Sequence, residues 1–220
     1  MADHVYKPSE VPKGQRWQQF KDYYKVPFAL TIIGIICLIS ILRTVVFSTK
    51  PDATIIAASE SHVDYTVWEQ TQEAFSALPL DFNEDGKVLI ETDYVQLSEE
   101  MMNAEPETYM AYQTKLVASL SSASSALQIV DEAMFEFFDS EGLLGTYAEL
   151  PETFGHGADE LIKIPLKELP LYGAIENLPD GLYMTLRPEA AMQIRGDEKK
   201  LARYEAQKEI LLTLLRQEQN

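Results

Sequence analysis

An uncharged apolar stretch close to the start of the chain limits what the rest of it can fold into. No residue between Val26 and Leu42 is charged, and Arg43 can reach toward a polar interface, so the apolar stretch extends to Phe47. A helix needs about twenty such residues to cross a bilayer, and the stretch lacks the polar face of a soluble helix. We therefore predict a single transmembrane helix over residues 26–47.

Two kinds of processed leader share part of this pattern. A cleaved signal peptide has an apolar region of about 7 to 15 residues followed by small residues, whereas residues 45–49 (VVFST) contain no Ala-x-Ala motif. A lipoprotein needs a small residue before its lipidated cysteine, whereas Cys37 follows Ile36 inside the apolar stretch. We expect neither form of processing. Because Cys37 is the only cysteine, the chain forms no internal disulfide, and we expect this side chain to face lipid.

The charges that flank the stretch predict its orientation. The tail before it has five basic residues against three acidic ones, and basic residues favour the cytoplasmic side. We expect residues 1–25 to be a cytoplasmic tail that includes an interfacial helix, because its aromatic residues from Trp17 to Tyr24 follow at helical spacing. Residues 51–220 are then extracytoplasmic, and the chain is a single-pass protein of the cell membrane.

The long segment after the stretch is strongly acidic. The whole chain has 18 Lys and Arg against 35 Asp and Glu, a net charge of −17, and residues 51–220 contain 11 of the basic and 32 of the acidic residues. This charge excludes nucleic acid as a partner and repels anionic lipid headgroups. We expect the segment to stand in solvent as one domain, since its length is sufficient to bury a core.

Short apolar runs alternate with amphipathic segments after residue 51. The predicted buried strands cover residues 53–58 (ATIIAA), 87–95 (KVLIETDYV) and 126–130 (ALQIV). The predicted helices cover residues 67–78 and 105–120, and a third helix begins at Asp131. Alternation of this kind is typical of a parallel sheet with helices on both faces. We therefore predict a domain of the α/β class, with three layers and a mainly parallel sheet.

The last third of the chain begins irregularly and then returns to regular structure. Residues 143–179 are rich in Gly and Pro, which predicts loops with one short strand near residues 162–166. A returning strand is predicted over residues 181–186 (GLYMTL), and a long helix over residues 197–217, where leucines recur near the helical period. We expect this final helix to pack on the sheet.

Two blocks of the domain resemble extracellular solute-binding proteins, the periplasmic-binding-protein family. In residues 115–150 a helix and a small-residue link lead to a buried strand, an acidic helix and a Gly-Leu-Leu turn. Residues 178–215, with a Gly-Leu-Tyr strand, an Arg-Pro turn and a terminal helix, are similar to the segment that re-enters the first lobe of those proteins. The resemblance implies one lobe of that fold, with the second lobe reduced to residues 152–177.

A single lobe changes what the resemblance implies about function. Solute-binding proteins enclose their ligand between two lobes, whereas one lobe offers an open ledge. The resemblance therefore implies a membrane-anchored binding or interaction module, for example an accessory protein beside a transporter. One alternative is a solute sensor or binder that a second lobe from another chain completes. The other is an enzyme, which we do not expect.

Open α/β sheets bind ligands beyond the carboxyl ends of their strands. In this chain the predicted ends are residues 59–62, residues 94–96 and the start of the third helix. The candidate ledge for a ligand or partner consists of Ser59, Glu60, Ser61, His62, Tyr94, Asp131 and Glu132. The alternative for the last two is structural, because Asp131 also suits the N-cap of the third helix and Glu132 its first turn.

A catalytic interpretation of the same ledge needs His62 as a general base oriented by Asp131 or Glu132. No nucleophile motif, phosphate-binding glycine loop or metal-spaced His and Cys cluster accompanies these residues in the sequence. His4 and His156 lie in segments where we predict no packed structure. Catalysis is therefore the least favoured of the three functions.

One short segment matches the start of a calcium-binding loop. In residues 81–88 (DFNEDGKV), Asp81, Asn83 and Asp85 supply oxygen side chains, a glycine follows, and Lys87 supplies a backbone carbonyl. The match ends at Thr92, where a calcium loop has a bidentate Glu. The segment is either a weak extracellular Ca²⁺ site, completed by another carboxylate, or a turn between the first helix and the second strand.

Overall fold

The computed structural model describes residues 25–47, 51–78, 80–122 and 124–218, together with Gly14 and Trp17. The chain forms two compact units, Met1–Thr49 and Lys50–Asn220. The predicted interfacial helix lies outside the described residues except for Trp17.

The first unit contains helix α1, Lys25–Phe47, which confirms the predicted helix. At 1.5 Å per residue this helix is about 35 Å long. Its apolar side chains are exposed, for example Leu30 and Ile36, each at 60% or more. By length and composition α1 can cross a membrane, and a signal sequence near an N-terminus meets the same criteria.

The second unit is an α/β domain with a five-stranded mixed sheet. The strands are β1 Ala53–Ser59, β2 Ile90–Gln96, β3 Leu127–Asp131, β4 Ile164–Pro165 and β5 Leu182–Leu186. The helices are α2 Tyr65–Ser76, α3 Glu99–Ala104, α4 Pro106–Ser122, α5 Glu132–Ser140 and α6 Glu198–Glu218. The order across the sheet is β2-β1-β3-β5-β4. The α/β class is confirmed, and so are the positions of the predicted strands and of the final helix.

The sheet is mixed where the sequence predicted a mainly parallel one. β1 pairs in parallel with β2 and β3, whereas β5 is antiparallel to both β3 and β4. β4 therefore runs in the direction of β3, and β5 is inserted between them in the opposite direction. β5 runs antiparallel to β4 because the connection between them is not a crossover helix. It contains the 3₁₀ turns Leu166–Glu168 and Pro170–Tyr172. A parallel neighbour would need such a helix.

Alternate residues of the strands point into two cores, one on each face of the sheet. In β1, Ile55 and Ala57 belong to the first core, and Ile56 and Ala58 to the second. Helices α2 and α6 contribute to the first core, and α4 and α5 contribute to the second. The domain therefore has helices on both faces of its sheet, as the alternating pattern predicted.

Helix α3 was not predicted, because six residues are too few to show a helical period. It begins where the Ser98 side chain accepts a hydrogen bond from the backbone N–H of Met101, at 3.1 Å. Helix α4 follows it directly and has Pro106 at its first position, as expected.

The buried cation of Arg187 fastens three segments at the end of the sheet opposite the ledge. Its side chain is 1% exposed. The guanidinium donates to the carbonyl oxygens of Leu120 at 3.1 Å, Ser125 at 3.3 Å and Ala191 at 3.2 Å. Burial lowers the pKa of Arg187 below its ordinary value. The side chain thus joins the end of α4, the start of β3 and the 3₁₀ turn Glu189–Met192.

We predict that Arg187→Met lowers the free energy of unfolding by about 2–4 kcal/mol, because three carbonyl oxygens lose a charged donor in a buried site. Arg203→Met is the matched control, since Arg203 is exposed on α6, and we expect a change of no more than about 0.5 kcal/mol. Chemical denaturation of the full chain in detergent micelles measures both. Equal stability of the two variants would contradict the fastening role of Arg187.

Candidate functional site

The carboxyl ends of β1, β2 and β3 meet at one edge of the sheet, because these three strands are adjacent and parallel. The chain leaves β1 toward α2 in the first core and leaves β3 toward α5 in the second core. Connections that diverge to opposite faces create a crevice between the two strand ends, which is the usual ligand position of an open α/β sheet. The strand ends that form the predicted ledge are therefore neighbours, and the ledge as a binding site stays a prediction.

The carboxylate of Asp131 fills this crevice from inside the protein. One oxygen, Oδ2, accepts from the backbone N–H groups of Glu60 at 2.8 Å and Ser61 at 2.9 Å. The other, Oδ1, accepts from the backbone N–H of Met134 at 3.1 Å, so Asp131 is also the N-cap of α5, as the structural alternative stated. The side chain is 7% exposed. The backbone donors that an anionic ligand would use here are thus already engaged.

Other polar side chains of the ledge form hydrogen bonds within the domain. The His62 imidazole lies with Nδ1 3.2 Å from Oε1 of Gln96, and the Tyr94 hydroxyl lies 3.5 Å from the same oxygen. The Tyr94 hydroxyl also accepts from the backbone N–H of Val63 at 3.3 Å. Ser59 is buried, and its hydroxyl donates to the carbonyl oxygen of Ser61 at 2.8 Å. The side chains of Ser59, His62 and Tyr94 thus all have hydrogen-bonding partners within the domain.

The catalytic pairing considered for this ledge is not formed. His62 contacts Gln96, while both oxygens of Asp131 face backbone N–H groups. A general base needs its orienting carboxylate within hydrogen-bonding distance. In this structure His62 is therefore paired with neither Asp131 nor Glu132.

Glu132 does not join the ledge and belongs to a different cluster. Its Oε1 is 2.6 Å from Nζ of Lys163, and that ammonium lies 4.5 Å from the ring centre of Phe135 and 4.4 Å from that of Tyr183. Hydrogen bonds from Lys163 and Tyr183 lower the pKa of Glu132. The hydrogen bond to Glu132 in turn raises the pKa of Tyr183. Glu132 lies in the first turn of α5, as predicted, and its carboxylate pairs with Lys163.

In the loop predicted to bind calcium, the side-chain oxygens accept hydrogen bonds from the loop's own backbone N–H groups. Asp81 accepts from the N–H groups of Gly86 at 2.8 Å and Asp85 at 3.2 Å. Asn83 accepts from Asp85 at 2.9 Å, and Asp85 accepts from Lys87 at 2.9 Å. Gly86 has a φ of +79°, which a residue with a side chain rarely adopts. The loop is therefore a tight turn, and a turn of this kind is compatible with either interpretation.

The oxygens of this loop do not form a complete calcium shell. Thr92, at the twelfth position, pairs with Ile55 within the sheet. Buried Asp52 accepts from the backbone N–H groups of Phe82 at 2.9 Å and Leu89 at 2.9 Å, which fixes the loop to the start of β1. Within the part of the chain that the structure describes, no group of three or more His, Cys, Asp or Glu side chains is placed to hold a metal ion. Calcium binding at Asp81 stays a prediction.

An apolar groove lies between α4 and α5, above the second core. Helix α4 buries Leu116, whereas Met110 is 66% exposed, Val117 62% and Phe137 of α5 47%. The groove has a volume of about 620 Å³ and is lined by Leu97, Gln113, Thr114, Leu116, Val117, Ala118 and Phe137. A groove with apolar side chains from two helices has the form of the surfaces that bind amphipathic helices. This groove could not be predicted from the sequence, because an exposed apolar helix face and a buried one show the same spacing of apolar residues.

A smaller cavity lies in the irregular segment before β4. It has a volume of about 160 Å³ and is lined by Tyr147, Phe154, His156, Lys163, Ile164, Pro165, Glu168 and Leu215. The His156 ring stacks on the Tyr147 ring with centres 4.2 Å apart. The sequence alone did not predict a site at His156, because the residues that line the cavity come from separate segments of the chain. The glycines on either side of His156 are a local signal of a tight turn, and this signal could have marked His156 as part of a structured loop.

Comparisons of this chain with protein-family models, with curated proteins and with solved structures found no match. The class of this protein therefore follows from its structure: an α/β domain after an apolar helix, whose described residues include an exposed groove and a small cavity.

We predict that Asp131→Ala lowers the free energy of unfolding by about 2–4 kcal/mol, because three backbone N–H groups lose a charged acceptor. Asp131→Asn should lose less, since its amide oxygen still accepts. Glu132→Ala, at the next position but exposed, is the control and should have a smaller effect than either. Denaturation of the full chain in detergent micelles measures the series. A loss from Glu132→Ala as large as that from Asp131→Ala would contradict the role given to Asp131.

The calcium prediction is tested at the loop itself. An extracellular site with a dissociation constant of about 0.1 to 1 mM would gain about 1.4 to 2.7 kcal/mol of stability in 10 mM Ca²⁺. Asp81→Ala should abolish that gain, and it should also lower stability without calcium, because the N–H groups of Asp85 and Gly86 lose their acceptor. Thermal unfolding at constant ionic strength measures both effects. A melting temperature that calcium leaves unchanged would mean that the loop is a turn alone.

Proposed function

We propose that the protein is a membrane-anchored, extracytoplasmic binding module that docks another membrane protein through the groove between α4 and α5. The observation that carries the proposal is the exposed apolar lining of the groove. Its volume of about 620 Å³ lies within the range of established binding pockets. Its floor is Leu116 of the second core, so the surface is held by packed structure.

The shape of the groove favours a helical partner segment. Apolar side chains of two neighbouring helices line it, and an amphipathic helix binds such a surface through anchors on one face. The charge around the groove favours a basic rim on that segment, because α5 carries the exposed acids Glu136 and Asp139 close to Phe137 and the chain has a net charge of −17. We therefore expect a partner helix with apolar residues at helical spacing and Lys or Arg beside them.

The membrane part of the proposal rests on α1 and on the charges before it. An apolar helix about 35 Å long, preceded by a basic tail, supports a retained anchor with its N-terminus in the cytoplasm. The resemblance of residues 115–150 and 178–215 to one lobe of a solute-binding protein favours a transporter or another envelope protein as the partner. Residues 115–122 of α4 belong to the first of these blocks.

Solute capture completed by a second lobe is the less favoured function. A solute at the ends of β1 and β3 would have to replace Asp131, which is nearly buried and accepts three backbone hydrogen bonds. The polar ledge thus has a structural explanation, while the groove has none. Catalysis ranks lower still, because His62 has Gln96 as its partner.

Site-directed photo-crosslinking in native membranes tests the proposal. A benzophenone side chain at Val117 should form an adduct with one membrane protein, whereas the same side chain at Arg203, exposed on α6, should not. Phe137→Asp should reduce the adduct at position 117 at least about tenfold, because a desolvated carboxylate in an apolar interface costs more than about 1.4 kcal/mol. An unchanged melting temperature of the Phe137→Asp variant provides the control for folding. Equal adducts from positions 117 and 203, or an adduct that Phe137→Asp leaves unchanged, would overturn the proposal.

A further inference from the structure

The cavity between the His156 loop and β4 has the size of a short side chain or a small solute. Its volume of about 160 Å³ equals roughly five times the volume that one water molecule occupies in the liquid. A ligand of about five non-hydrogen atoms would fill it. Drug-sized ligands need at least about twice this volume.

Aromatic rings form one wall of the cavity, and one of them is held in an unusual conformation. The rings of Tyr147 and His156 are parallel within 7°. Phe154 has a φ of +52° and is followed by Gly155 at +90°. A bulky residue at positive φ is a backbone outlier that persists only where surrounding contacts hold it, and such outliers concentrate at functional positions. Phe154 packs against the first core in this conformation and lines the cavity.

The charges at the cavity favour a positively charged ligand. Lys163 is paired with Glu132 at 2.6 Å, and His156 is paired with Glu160 at 3.1 Å. Glu168 also lines the cavity, and among the described residues its carboxylate has neither an ion pair nor a hydrogen bond. An anion would therefore meet two cations that are already engaged and one carboxylate that repels it. A cation would gain that carboxylate and the negative field of the domain, and an alkyl chain would gain the apolar lining at Phe154, Ile164 and Leu215.

We propose that this cavity binds a primary ammonium group on a short unbranched alkyl chain, with the ammonium at Glu168 and the chain against Phe154, Ile164 and Leu215. Four methylene groups and one nitrogen make up the five atoms that the volume admits. Two kinds of ligand carry such an ammonium group: a free alkyl amine, and the side chain of a lysine on another protein. The proposal is independent of the groove between α4 and α5.

Methyl NMR of the full chain in lipid nanodiscs tests this binding, because the methyl groups of Ile164 and Leu215 line the cavity. n-Butylammonium chloride should shift both resonances saturably. n-Butanol, which has the same shape without the charge, should bind at least about fivefold more weakly, which corresponds to about 1 kcal/mol. Glu168→Gln should weaken butylammonium binding by a similar factor. Glu176→Gln, exposed in the same irregular segment and outside the cavity, should leave it unchanged.

A lysine peptide with blocked ends distinguishes the two sources. Tighter binding of the peptide than of butylammonium would assign the cavity to a lysine of a protein partner, and the reverse order would assign it to free amines. Both results support an ammonium site. Equal affinities for butanol and butylammonium, unchanged binding by Glu168→Gln, or no saturable shift of Ile164 and Leu215 would each overturn the proposal.

Discussion

The carboxylate of Asp131 is the contact on which the carboxyl-end edge of the sheet depends. It joins the end of β3, the first turn of α5 and the loop after β1 through three backbone hydrogen bonds. The chain departs from β1 and β3 toward opposite faces, so these segments would otherwise separate at the point where open α/β sheets bind ligands. Here an internal side chain occupies that point. The groove on the helices and the cavity beside β4 are the other candidate surfaces among the described residues.

The sequence could predict the elements of the fold better than the direction of its strands. Apolar runs such as residues 126–130 indicate burial, and Asp131 indicates the start of a helix, because both signals are local. The direction of β5 depends on the path of residues 166–181, whose 3₁₀ turns have no periodic pattern. For the same reason the sequence could not predict the pairing of Glu132 with Lys163, which is 31 residues away along the chain.

The candidate surfaces were harder to predict, and the physical reason differs between them. Val117 and Leu116 are neighbours on α4 and equally apolar, yet one is exposed and the other is buried. Hydrophobic pattern cannot tell which side of a helix another layer covers. In the cavity, His156 and Glu168 meet residues of β4 and α6 only after the chain has folded. The ledge at Ser59 to His62 was predictable because strand ends are fixed by topology alone.

The insertion of β5 between β3 and β4 has a consequence for the growing chain. Strands β1, β2 and β3 are synthesised first and can pair with one another, while the outer edge of β3 remains open until residues 182–186 exist. Pairings between distant segments form late, and an unpaired edge invites association with other chains. The open edge therefore has to be kept from neighbouring molecules throughout the synthesis of residues 132–181. The last strand of the chain is thus the one that closes the middle of the sheet, so a chain cut short before residue 182 would leave β3 with an unpaired edge.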